Sequence, residues 1–220
     1  AEQAMEAEKK RFVGSELSGH VLGVVGLGAI GVKVANAARA LGMTVFGFDP
    51  HMTVDGAWQL SADVIKAGSL TELYAAADYI SFHVPLNDAT RGIYGDAALA
   101  VSKHGVVLLN FARDGIIDPG ALARGLAEGR IGRYVTDFPK PGLAGEQRVI
   151  ALPHLGASTA EAEENCALMV VDQLRDFLEN GNISNAVNFP ATRMARTGSH
   201  RICIANRNVP NMIGQISHVL

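Results

Sequence analysis

Short runs of Val, Ile, Leu and Phe recur along the chain at Val21 to Val25, Thr44 to Phe48, Tyr79 to His83, Val106 to Phe111, Tyr134 to Phe138 and Val149 to Leu152. Each run is too short for a stable helix and is bounded by Gly, Pro or Asp, so the pattern predicts six strands. Between them the spacing of apolar positions changes to the helical period. A helix is expected over Ala29 to Leu41, closed by Gly42. A second is expected over Leu70 to Ala77, opened by the capping box Ser69-x-x-Glu72, and a third over Gly120 to Glu128, ending at Gly129. Strands alternating with crossover helices imply a parallel sheet covered on both faces, which is the doubly wound α/β class.

Beyond His154 a second capping box, Ser158-x-x-Glu161, predicts a longer helix that runs to Gly181. Cys166, Met169, Val170, Leu174, Phe177 and Leu178 keep a 3.6-residue period along it, so Cys166 and Met169 are expected in a core. The first dozen residues, AEQAMEAEKKRF, favour helix by propensity but carry only a weak apolar stripe, and are expected to need a partner surface.

Composition narrows the classes. A chain of 220 residues with 48% hydrophobic content can bury a sizeable core in one large domain or two small ones. The net charge of −3, with 19 basic residues scattered and no polybasic block, argues against nucleic-acid partners. The longest uncharged apolar run, Val21 to Val32, is broken by glycines and falls short of the roughly 18 residues a membrane span needs. Cys166 and Cys203 form no C-x-x-C pair, so neither a disulfide framework nor a zinc site is expected and a reducing cytoplasm is the default. No signal peptide opens the chain, and both ends read as cut from something longer.

Three stretches carry chemistry. In GVVGLGAIG, Gly26-x-Gly28-x-x-Gly31 follows a strand and opens a helix, where glycines let backbone N–H groups approach a pyrophosphate. Asp49 ends the next strand, 18 residues beyond Gly31, where a carboxylate can bind an adenosine ribose and repel a 2′-phosphate; the motif therefore points to NAD over NADP. The alternative is that the glycines serve tight packing and Asp49 merely ends a strand. In LLNFARDGIID, Arg113 follows a strand at the sheet's carboxyl edge and can hold a carboxylate by two contacts, unless it pairs with Asp114 or Asp118 on the surface. In RVIALPHLGAST, Pro153 marks the end of the last strand and His154 follows it into the same mouth, as a proton-transfer group or as a satisfied structural histidine. His20, His51, His104, His200 and His218 lack ligand spacing and read as solvated surface, so no metal site is expected. His83 suits packing as well as cofactor contact.

GVVGLGAIG, Asp49, FHVPLNDATRG, NFARDGIID and PHLGASTAEAEENCA occur in the order found in the NAD-dependent D-2-hydroxyacid dehydrogenases, and the chain resembles that family from Gly14 to about Pro190. The tail RICIANRNVPNMIGQISHVL is similar to the first strand and helix of an ACT regulatory domain, through the Asn208-x-Pro210 turn, with Asn211 where glycine is common. The resemblance implies a Rossmann-type NAD-binding domain with flanking helices over residues 1–190, a linker over 191–198 and an incomplete ACT-like segment over 199–220. Ala29 and Ile30 would contact the pyrophosphate, Asp49 the ribose, and His83, Val84 and Pro85 would line the adenine side. Phe111, Ala112, Arg113, Asp137 and the run from His154 through Gly156 to Ala157 would surround the nicotinamide. Asp137 would reach the carboxamide. His154 would transfer the hydroxyl proton of a 2-hydroxy acid while Arg113 orients its carboxylate.

One element of the resemblance fails. A glutamate in a D-x-F-x-x-E-P pattern holds the histidine in this family, whereas here TDFPKPGLAGE places Gly142 at that position and leaves Glu146 as the nearest following acid. The family builds its substrate domain mainly from a segment ahead of the present Ala1. The expectations are therefore NAD binding with poor turnover by this piece alone and a homodimer formed through the NAD-binding domain. The alternative is an NAD-binding or sensing module without turnover.

Overall fold

The computed structural model describes residues 14–143, 145–207 and 209–219. The helix expected in the first dozen residues, and Asn208 of the expected turn, lie outside them. The chain divides into two compact units, the first ending at His154 and the second running Leu155–Leu220.

The first unit is a seven-stranded sheet: β1 (Val21–Val25), β2 (Thr44–Phe48), β3 (Ile65–Lys66), β4 (Tyr79–Phe82), β5 (Val106–Asn110), β6 (Ile131–Thr136) and β7 (Val149–Ala151). Their order is β3-β2-β1-β4-β5-β6-β7 and every pairing is parallel. The helices are α1 (Ala29–Ala40), α2 (Val54–Gln59), α3 (Leu70–Ala76), α4 (Asp96–Val101) and α5 (Pro119–Ala127). The expected six strands and three helices are present, and the doubly wound reading holds. The edge strand β3 and the six-residue helices α2 and α4 were not expected.

Two apolar clusters sandwich the sheet. Leu22, Val24 and Val45 pack with Val32, Ala35 and Ala38 of α1 on one side. Val25, Ile80, Phe82 and Leu108 pack with Leu73, Leu99, Leu122 and Leu126 on the other. There Tyr94 stands edge-on to both Tyr74 and Phe82, with ring centroids 5.4 and 6.0 Å apart. Each fully buried side chain of this size contributes about 1.5–3 kcal/mol. The capping box forms with a twist: Ser69 Oγ accepts from the Glu72 N–H, while Glu72 Oε2 reaches back to the N–H of Gly68.

Strand β6 departs most from expectation. It starts at Ile131, three residues before the expected Tyr134, and ends at Thr136, leaving Asp137 and Phe138 beyond the ladder. Val106 pairs with Ile131 but Val107 pairs with Arg133, so Gly132 is an extra residue, a bulge. A side chain there would stand 2.5 Å from the Gly105 carbonyl oxygen, which explains the glycine.

The second unit holds α6 (Ala160–Asn180) and α7 (Met212–Val219). Thr159 caps α6, its Oγ1 accepting from the Ala162 N–H at 3.2 Å, one residue later than the expected Ser158 box, and Gly181 closes the helix with φ +67°. The core role expected for Cys166 and Met169 is not observed: both are exposed, and no described residue of α6 is buried. A periodic stripe specifies a face, but burial also requires a surface to cover it. The segment after α6 is tied back by Arg196 to the Glu179 carbonyl and by Arg201 to the carbonyls of Asn180 and Met194. The strand expected at the head of the ACT-like tail is not formed: residues 201–207 pair with no strand among the described residues. A single strand-forming segment without a neighbour has no ladder to join. The expected helix after it is formed as α7, and Asn211 at its start takes φ +65°, a left-handed conformation that asparagine tolerates.

Candidate active site

The parallel register puts six strand ends in one row. Phe48 pairs with Val25, Val25 with Phe82, Phe82 with Asn110, Asn110 with Thr136 and Thr136 with Ala151. Immediately beyond this row lie Asp49, Gly26, His83, the Phe111 loop, Asp137 and the Leu152-Pro153-His154 segment. Residues scattered over more than a hundred positions thus share one edge, spread over about 24 Å at the usual inter-strand spacing. The strand order reverses between β1 and β4, where a crevice opens at the carboxyl edge of such sheets.

The glycine loop sits at that reversal. Gly26 has φ +91°, and its missing side chain would stand 2.6 Å from the His83 carbonyl oxygen. Gly31 lets α1 approach the loop so closely that a Cβ would lie 1.9 Å from the Gly26 carbonyl oxygen. Gly28 differs: it has an extended backbone, and beyond its chain neighbours a Cβ there would meet nothing among the described residues within 4 Å. Gly28, Ala29 and Ile30 are exposed, and α1 begins with no side-chain cap and no acid in its first turn. Its N-terminal N–H groups and positive dipole end therefore have no countercharge from their own helix, which fits a pyrophosphate.

Asp49 braces this loop. Its Oδ2 accepts from the Leu27 N–H and its Oδ1 from the His51 N–H, each at 2.8 Å, which leaves one lone pair on each oxygen for ribose hydroxyls. The carboxylate lies in a cleft of about 450 Å³ whose lining includes Leu27, Phe48, Met52, Leu60 and Val64. That apolar wall with one acid suits an adenosine. On the other side of β1, His83 Nε2 lies 2.8 Å from Ser81 Oγ, and burial holds the imidazole below its ordinary range. Val84 is half-buried, and the Pro85 carbonyl accepts from Thr90 Oγ1.

At the far end, Asn110 is buried and organises the loop after β5. Its Nδ2 donates to the Arg113 carbonyl at 3.0 Å and its Oδ1 accepts from the Ala112 N–H at 3.2 Å. Sequence reasoning missed this residue, although an asparagine closing the apolar run VVLL was a visible signal of a buried polar group with work to do. Phe111 and Arg113 are exposed, and the guanidinium donates to the Ala112 carbonyl. Asp114 pairs instead with Lys140 at 2.8 Å, and Asp118 caps α5 by accepting from the Ala121 N–H. Among the described residues, neither acid claims Arg113.

His154 Nδ1 stands 2.9 Å from Asp137 Oδ2. The Phe138 ring lies against the imidazole, with centroids 4.9 Å apart. Asp137 is 7% exposed, and its other oxygen, Oδ1, is buried with no hydrogen-bond partner among the described residues. Thr136 Oγ1 accepts from the Phe138 N–H, and the Thr136 carbonyl accepts from the Leu152 N–H at 2.8 Å, so the two chain ends that carry the pair are tied to one residue. Glu146 does not fold back to the histidine: it is exposed, and its Oε1 accepts from the Arg148 N–H. Gly142 lies in an exposed 3-10 turn, Pro141–Leu143. Gly156 and Ala157 belong to the second unit, where Ala157 takes φ +59°.

Residues 1–156 match the family model described as D-isomer specific 2-hydroxyacid dehydrogenase, NAD binding domain. The chain is 39% identical over 195 residues to a D-3-phosphoglycerate dehydrogenase of Bacillus subtilis (strain 168), an alignment covering 86% of this chain. Among solved structures it is similar to a glyoxylate reductase from Paecilomyes thermophila, with TM-score 0.71 and 33% identity over 84% of this chain and 58% of that one. It is also similar to a D-lactate dehydrogenase from Aquifex aeolicus complexed with NAD and lactic acid, with TM-score 0.65 and 26% identity over 80% of this chain and 61% of that one. The chain spans 37% of the length of the Bacillus protein.

Proposed function

The chain belongs to the D-isomer specific 2-hydroxyacid dehydrogenases through their NAD-binding domain, and from that premise we propose that it is the cofactor-binding and proton-transfer part of an enzyme that oxidises a D-2-hydroxy acid. The observation that carries the proposal is His154 held by a nearly buried aspartate at the sheet edge that also bears the glycine loop. A bound nicotinamide supplies the hydride acceptor. The chain's own residues do the rest. Gly28, Ala29 and Ile30 bind the pyrophosphate and Asp49 the ribose, while Phe111, Ala112 and Arg113 flank the reacting end. Arg113 holds the substrate carboxylate in a two-point contact. His154 takes the hydroxyl proton at Nε2 during oxidation and returns it during reduction of the keto acid.

The first-choice substrate is 3-phosphoglycerate, giving 3-phosphohydroxypyruvate at the entry to serine biosynthesis. Support comes from the name of the Bacillus relative and from the ACT-like character of residues 199–220, which follow the linker at 191–198. The working compartment we propose is the cytoplasm, the default for a chain whose Cys166 and Cys203 lack C-x-x-C spacing. A homodimer is supported by the apolar surface that α6 exposes, including Leu168, Val171 and Leu174. Sedimentation at micromolar concentration tests it, and a clean monomer removes it.

The chain by itself binds NADH and turns over poorly, because the half of the cleft that excludes water lies in the remainder of such enzymes. The test is fluorescence titration of the chain with NADH, followed by absorbance assays with NAD and a panel of D-2-hydroxy acids that includes 3-phosphoglycerate. Failure to bind NADH removes the proposal. His154→Ala retains NADH affinity and loses whatever turnover the parent chain shows.

A further inference from the structure

The carboxylate that this family's pattern supplies to the histidine is missing here, since Gly142 occupies its position. The structure nevertheless gives His154 a carboxylate, Asp137, a residue for which the resemblance implied a different contact. We infer that Asp137 is the positioning residue of the reaction: by accepting a hydrogen bond from Nδ1–H it fixes the tautomer of His154 and leaves Nε2 free to take the substrate proton. This rests on the dehydrogenase reading for its consequence, though not for its geometry.

Three observations converge. The 2.9 Å separation joins Asp137 Oδ2 to Nδ1, not to Nε2. The second carboxylate oxygen is buried and unpartnered, so His154 is the one side-chain donor that meets this charge among the described residues, and the covered oxygen offers no surface to a ligand. The ring also packs against the tilted Phe138 ring, and the chain on both sides is anchored through Thr136. The neighbouring acids are committed elsewhere, Asp114 to Lys140 and Glu146 to the Arg148 N–H.

A neutral imidazole has one N–H and one bare nitrogen, and only the bare nitrogen accepts a proton. A carboxylate at Nδ1 accepts only, which forces the proton onto Nδ1 and bares Nε2. An asparagine at 137 can turn its NH₂ towards Nδ1 and favour the opposite form, with Nε2 already protonated and unable to act as base. In a serine-protease triad the same exchange of aspartate for asparagine costs about 10⁴ in turnover with the geometry intact.

The test is ¹H–¹⁵N long-range correlation on the ¹⁵N-histidine-labelled chain at about pH 9, where an ordinary imidazole is neutral. His154 is identified among the seven histidines as the signal lost in His154→Ala. The expected wild-type pattern is a protonated Nδ1 with a bare Nε2, and in Asp137→Asn a reversal towards protonated Nε2. In an enzyme competent for turnover, kcat falls about 10²–10⁴-fold with the hydroxy-acid KM little changed. Asp137→Ser, which removes the carboxylate with a smaller group, provides the same reading should the amide not be accommodated: its Nδ1 proton is no longer fixed and both forms appear. Protonated Nε2 in the wild type, or an unchanged ring pattern in both variants, overturns the inference. Wild-type and variant patterns as expected in a chain that never binds NADH uphold the positioning role and remove the dehydrogenase reading instead.

Discussion

Replacing Gly28 by alanine separates the space this chain needs for folding from the space it keeps for a ligand. Beyond its chain neighbours, the added methyl meets no atom of the described residues within 4 Å, and the backbone there, φ −73° and ψ −165°, is open to any residue. Alanine is a poorer N-cap than glycine by a few tenths of a kcal/mol to about 1 kcal/mol, while the stiffer unfolded chain returns about 0.4–1 kcal/mol. The two nearly cancel, so Tm should move by no more than about 2 °C. Gly31→Ala is the control. Its Cβ would lie 1.9 Å from the Gly26 carbonyl oxygen, against a floor of 3.0 Å for real contacts, so backbone must move by about 1.1 Å. Helix propensity favours alanine there by about 1 kcal/mol, but overpacking against backbone costs about 3 kcal/mol. The net loss of about 2 kcal/mol lowers Tm by about 4–8 °C. With a pyrophosphate in place the order reverses in kind: Gly28→Ala should keep its fold and bind NADH at least about tenfold more weakly, a loss of about 1.4 kcal/mol. Calorimetry and NADH fluorescence titration on the same samples read both effects. Wild-type NADH affinity in Gly28→Ala would refute the reasoning, since the open side of Gly28 would then not be where the cofactor lies.

Asp49→Asn should raise the Kd for NADH and narrow the preference over NADPH by at least about tenfold, measured by paired titrations; wild-type discrimination in the variant would show that the carboxylate only braces Leu27 and His51. Acid should destabilise the first unit in two stages. Burial holds His83 below the ordinary imidazole range, so its contribution is full above about pH 6.5 and is lost as pH falls through the lowered value. His83→Gln should flatten the pH dependence of Tm between about pH 7.5 and 5.5, and an unchanged slope excludes His83 as its source. Burial works to raise Asp78, but Lys103, the Val21 N–H and His20 outweigh it and hold the carboxylate low. Its contribution, present above about pH 3.9, is lost as acidification passes through the lowered value, so Asp78→Asn should remove stability at neutral pH and less of it in strong acid, as read by thermal melts at both.

The sheet was legible because its central strands, β1 and β4 above all, are buried on both faces and read as unbroken apolar runs. The parts that escaped are those in which burial writes no pattern. Ile65 and Lys66 of β3 are both exposed at the sheet edge, and α2 has no buried residue, so neither offers a periodicity to read. The glycine loop and Asp49 were visible from local spacing, since each does its work within one turn of chain. The partner of His154 was not. Asp137 meets it only because Tyr134 pairs with Val149, and that register is fixed by the ladder and not by spacing along the chain. The exposed stripe of α6 shows the reverse failure, a pattern that reads correctly as a helix face yet says nothing of what covers it.

The bulge at Gly132 gives β6 two phases. In a regular strand residues three apart face opposite ways, yet Ile131 and Tyr134 belong to the same apolar cluster because the extra residue between them restores the alternation. The first phase anchors the strand's entry from α5, and the second, set by Tyr134 and Thr136, aims Asp137. Sequence drift at Ile131, at α5 or in the turn between them can thus be absorbed ahead of the bulge without rotating the chemistry at the other end. The strand behaves as two short segments with separate tolerances, one free to follow its packing and the other bound to keep a carboxylate against an imidazole.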